Sequence, residues 1–87
     1  MKAVITVIGK DQVGILSKVS TACYESNANI VDVSQTIMDE YFTMTMMVEV
    51  DKLNLGFEEF KEKLSSAVPT MEVHVMHENI FNSMHRI

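Results

Sequence analysis

Gly9-Lys10-Asp11-Gln12-Val13-Gly14-Ile15-Leu16 is a polar, glycine-bounded turn set between a short apolar run and the first helical pattern. Asp11 has the chemistry of a helix N-cap, and Gly14 lets backbone approach closely where the helix begins. Amide donors at such a helix start favour an anionic group, so the turn suits a small carboxylate. By itself it reads more readily as a capped loop than as a ligand site, by roughly three to one, and the flanking chain has to decide between the two.

Upstream, Lys2 to Ile8 is rich in β-branched residues and apolar on both alternating faces, with Ala3, Ile5 and Val7 on one side and Val4, Thr6 and Ile8 on the other. A short two-sided run of this kind predicts a central strand. Downstream, Ile15, Leu16, Val19, Ala22 and Cys23 recur at helical spacing, predicting an amphipathic helix that ends near Asn27-Ala28-Asn29. Asparagine tolerates left-handed backbone and suits the exit turn.

Ile30 to Met38 alternates, with Val31, Val33 and Ile37 on one face and Asp32, Ser34 and Thr36 on the other. After the polar break Asp39-Glu40, Tyr41 to Val50 alternates again, so the pair predicts a hairpin. Asn54 is placed to cap a second helix whose stripe is Phe57, Phe60, Leu64 and Ala67, and Pro69 stops it. Thr70 to Met76 predicts a last strand. Ile80, Phe81, Met84 and Ile87 then share one face of a short C-terminal helix at about 78–87.

Strand, helix, strand, strand, helix, strand is the α+β, ferredoxin-like βαββαβ arrangement, a four-stranded antiparallel sheet with two helices on one face. The other face needs a cover, either the terminal helix or a second subunit. Eighty-seven residues are expected to form one domain, burying about two thirds of its unfolded surface.

Composition narrows the function. Apolar residues make up 47% and charged residues 22%, and the net charge is −5, which disfavours nucleic acid as a direct partner. The lone Cys23 excludes an intrachain disulfide framework. The run Ala3 to Ile8 is too short for a signal core or a membrane span, so a cytoplasmic location is expected, with no membrane partner.

Catalytic and metal signatures do not assemble. A metal carrier would show Cys-x-x-Cys, and an RNA-recognition sheet would show exposed aromatics with basic neighbours. The Gln12-Val13-Gly14 loop has a faint likeness to the acylphosphatase loop but lacks the arginine that follows there. His74 and His77, on or just past a strand, point to opposite faces and cannot chelate together. Met44 and Met46 share a core face, where methionine is an adaptable filler. The expectation is no enzyme, no cofactor and no metal.

The residues together resemble an ACT domain, the small regulatory module that binds amino acids. The resemblance covers nearly the whole chain. It rests on the first strand running into Gly9 to Leu16, similar to that family's aspartate-x-x-glycine-leucine turn, on Asn27-x-Asn29-Ile30 opening the second strand, and on Gln35 within it. Val33-Ser34-Gln35-Thr36 and Asp39 to Met44 are similar to the small stand-alone ACT proteins and to one repeat of the glycine-cleavage-system transcriptional repressor. The resemblance implies a homodimer, joined edge to edge or face to face. It implies a small-molecule effector held by Asp11, Val13, Gly14 and Ile15 of one subunit, with Asn29 and Ile30 from the second-strand region. Where the family often has proline this chain has Val13. An alternative within the same fold is a structural or protein-interaction module with a vestigial ligand site.

Overall fold

In the computed structural model, which describes residues 1–10 and 12–84, the strands are β1 (Lys2–Lys10), β2 (Asn29–Met38), β3 (Tyr41–Glu49) and β4 (Glu72–His77). The helices are α1 (Ile15–Glu25), α2 (Phe57–Ala67) and α3 (Glu78–Met84). The strands pair antiparallel in the order β2-β3-β1-β4, so β1 and β3 are central and β2 and β4 are edges. This is the expected ferredoxin-like sheet.

Alternation decides the core. Ala3, Ile5 and Val7 of β1 and Phe42, Met44, Met46 and Val48 of β3 face the helices. They bury Ile15, Val19, Ala22 and Cys23 of α1 and Phe60 and Leu64 of α2. Burying side chains of this size contributes about 1.5–3 kcal/mol each before entropy is charged against it. Burial also pushes the Cys23 thiol up to about 11, because the thiolate would lose its hydration there. Leu16, expected on this stripe, lies outside it and is partly exposed.

The strand β2 departs from simple alternation. Its register with β3 runs Asn29↔Glu49, Ile30↔Val48 and then Asp32↔Met47, so Val31 is an unpaired bulge residue. The extra residue swaps the faces. Ile30 joins Val33 against the core, whereas Val31, expected to share a face with Val33, is exposed. Beyond the bulge the expected alternation resumes, though Ile37 on the core-side row remains 60% exposed at the sheet margin.

The helix starts also differ from expectation. Gly14 is the N-cap of α1, with φ of 84°, and among the described residues no side chain caps the helix. Asp11, expected as the cap, lies outside the described residues. For α2 the N-cap is Gly56, whose N–H donates to Glu59 Oε1 at 3.3 Å. Asn54, expected to cap, instead donates from Nδ2 to the Glu25 carbonyl (2.9 Å), tying the segment before α2 to the end of α1. Asn27 takes the left-handed conformation after α1 (φ 63°), whereas Asn29 is already strand. The hairpin turn is the two residues Asp39-Glu40, with Asp39 at φ 58°. The helix α2 ends at Ala67, and Val68 before Pro69 leaves the helical region (φ −133°, ψ 70°), which the proline ring disfavours for the residue preceding it.

The second sheet face is covered in part by α3, which packs on β1 and β4. Phe81 borders a groove of about 110 Å³ with Val4, Thr45 and Met47, and Val4 is buried on this side. Thr6, Thr43, Thr45, Ser34 and His74 lie on the same face. The end of the expected C-terminal helix, residues 85–87, lies outside the described residues.

Candidate functional site

The turn after β1 carries three of the expected site residues that are described. Val13 stands at the tip with 97% of its surface exposed, Gly14 is half-buried, and the Ile15 side chain is buried in the core. Only the backbone of Ile15 is therefore available at the helix start. Lys18 N–H donates to the Gly14 carbonyl at 2.9 Å, the first intrahelical bond. The amides of Ile15, Leu16 and Ser17 precede it and have no intrahelical acceptor. The approach to the turn is braced from outside the helix: Gln12 Nε2 donates to Thr70 Oγ1 at 2.6 Å, linking it to the segment before β4.

Asn29 and Ile30 are elsewhere. Lys2 and Asn29 both pair with Glu49, whereas Lys10 and Met38 both pair with Tyr41. The strands β1 and β2 thus run parallel, with Asn29 level with the start of β1 and the Gly14 turn following its end. Nine residues of strand separate the two levels, roughly 30 Å at 3.3 Å per residue. One chain does not bring the two halves of the expected site together. The exposed side chain of Asn29 donates from Nδ2 to Glu49 Oε1 at 2.8 Å, and Ile30 is partly buried against the core.

The Asn29 end opens into a cleft of about 500 Å³, lined by Tyr24 and Ala28 on the helix side and by Asn29, Glu49, Asp51 and Lys52 across it. Its wall is held by Asn27, whose Nδ2 donates to the Lys52 carbonyl at 2.8 Å, and by Asn54 N–H, which donates to the Ser26 carbonyl at 3.1 Å. Asp51 receives the N-terminal ammonium of Met1 on both oxygens at 2.7 Å. Tyr24 projects with 84% of its surface exposed. The family resemblance pointed to Asn29 but not to Tyr24, Glu49 or Lys52, because these converge only through the α1–β2 turn and the end of β3.

Elsewhere, His74 and His77 fall on opposite faces, as expected. His74 Nε2 lies 3.3 Å from Glu72 Oε1, and His77 stacks on Phe57 with ring centroids 4.6 Å apart. Among the described residues no group of three His, Cys, Asp or Glu could hold a metal ion, and no helix is long and apolar enough to cross a membrane.

Comparison with known proteins agrees with this architecture. A UPF0237 protein of Listeria monocytogenes serotype 4b (strain F2365) is 51% identical over 89 residues, covering 100% of both chains. An ACT domain protein from Streptococcus pneumoniae superposes with a TM-score of 0.78 at 37% identity, covering 93% of each chain. The regulatory subunit of aspartate kinase from Thermus thermophilus, in its ligand-free form, superposes with a TM-score of 0.66 at 26% identity, over 85% of this chain and 49% of that one. The ACT domain model matches residues 2–78, from the start of β1 into α3. With turn, bulged edge strand and sheet order all in place, the chain belongs to the ACT domain family, whose members are regulatory ligand-binding modules.

Proposed function

We propose that this chain is a non-catalytic regulatory module that binds an amino acid at the interface of a homodimer. The observation that carries the reading is the division of the site, with the Gly14 turn and Asn29 at opposite ends of parallel-running strands. A second copy, pairing its β2 antiparallel to this β2, would set its own Asn29 end beside this chain's Gly14 end. The strand β2 suits that role. It is a ten-residue edge with no proline or lysine, and Val31, Ile37 and Met38 are exposed along it. A long apolar edge of this kind invites a further strand. The helix start would take the carboxylate, and closure across the interface would signal occupancy to a regulated protein.

A thermal-shift screen against the twenty amino acids, with mass measured by light scattering, tests the reading. A dimer stabilised by one or two amino acids is the expected result, since ligand at a hundred times its Kd adds about 2.7 kcal/mol. A flat screen on a dimer would move the function to a protein-interaction module. A monomer would remove the two-chain site.

A further inference from the structure

We propose that Glu49 is the ammonium-recognising residue of the amino-acid site, acting with Asn29 in the cleft bordered by Tyr24; this inference rests on the amino-acid reading above. The cleft, at about 500 Å³, has the size of a small-molecule pocket. Two carboxylates border it, and they are not equivalent. Asp51 is already neutralised by the N-terminal ammonium, which engages both of its oxygens. Among the described residues Glu49 forms no ion pair, and its hydrogen-bond donor is the neutral Asn29 amide, on Oε1, which leaves Oε2 to accept.

The same hydrogen bond orients Asn29. With Nδ2 committed to Glu49, the Asn29 Oδ1 is a second acceptor beside the carboxylate. Two acceptors, one of them charged, match an ammonium group, which carries three donors and no acceptor. Charge-assisted hydrogen bonds of this kind are about twice as strong as neutral ones. The exposed Tyr24 ring on the helix side of the cleft offers an apolar face to the ligand's side chain. Position in the sheet sets the two side chains side by side, because Asn29 and Glu49 are a directly paired couple at the start of β2 and the end of β3.

The test is a titration of the uniformly ¹⁵N-labelled full chain with each of the twenty amino acids at millimolar concentration, followed by amide chemical shifts. The 2-hydroxy acid matching any amino acid that binds is titrated in parallel. The variant Glu49→Gln keeps an oxygen for Asn29 Nδ2 and removes only the charge, and an unchanged melting temperature checks that it folds. The expected result is that amides of Asn29, Glu49 and Lys52 shift, that Glu49→Gln binds at least about tenfold more weakly, and that the hydroxy acid does not bind. If an amino acid binds with equal affinity to Glu49→Gln, or the hydroxy acid binds as well, Glu49 is not the ammonium site while the amino-acid reading stands. If no amino acid moves any amide, both readings fall.

Discussion

The Met71 sulfur occupies the space that a side chain on Gly9 would need: a Cβ built there would lie 2.6 Å from Sδ and 3.1 Å from Cε. Gly9 is a half-buried residue in the central strand, and Met71 is buried just before β4. The strand tolerates glycine here because the thioether fills the place of the missing side chain. Gly9→Ala is expected to destabilise the fold by about 1–3 kcal/mol through overpacking. In urea denaturation the double variant Gly9→Ala/Met71→Ala should cost less than the sum of the two single changes. Strict additivity would show that the two side chains do not compete.

At Gly14 the constraint is conformational rather than steric. A Cβ there would meet only Lys18 Cε at 4.0 Å, but φ is 84°. Gly14→Ala should cost about 1–2 kcal/mol. Gly14→Asn should cost less, since asparagine visits the left-handed region more readily, and Gly14→Val should cost most. Melting temperatures falling in another order would mean that contacts rather than φ govern the turn.

Cys23 links stability to alkaline pH. Its folded-state pKa, about 11, lies above the ordinary 9.0, so the folded chain holds the thiol proton after the unfolded chain has lost it. The contribution is complete below pH 9 and is lost as pH rises from 9 to about 11, by up to about 3 kcal/mol. Comparing Cys23→Ala with the parent isolates this slope from lysine titration. Parallel stability curves for the two proteins between pH 8 and pH 11 would disprove the linkage.

If β2 edges pair, charge on that edge should separate them. Val31 and Ile37 are both exposed, so Val31→Lys/Ile37→Lys should fold with little loss. It should shift the mass by light scattering from dimer to monomer, and the melting temperature should lose its concentration dependence. A variant that stays dimeric would place the contact on another surface, the threonine-rich sheet face being the next to test.

Much of this was legible in local pattern. The alternation of Ala3, Ile5 and Val7 against Val4, Thr6 and Ile8, the helical stripes through Val19 and Phe60, and the stop at Pro69 all read correctly, because each depends on side-chain period over a few residues. The Val31 bulge did not read, since an unpaired residue is visible only against a partner strand, and it moved Ile30 into the core in place of Val31. The caps at Gly14 and Gly56 were missed for a related reason. Asp11 and Asn54 have capping chemistry, but Asn54 gave its amide to the carbonyl of Glu25, twenty-nine residues away.

The sequence alone thus determined the order of elements, most of the core and the place of the Gly14 turn, because period, propensity and backbone freedom are local properties, while Asn29 was marked by family resemblance. Tertiary structure decided how those two points stand to one another. Antiparallel pairing of β1 and β2 to the same β3 makes them run parallel, which sets the turn and Asn29 at opposite ends of the sheet. It also decided Asn29's company, since only the pairing of β2 with β3 brings Glu49 within 2.8 Å of its amide.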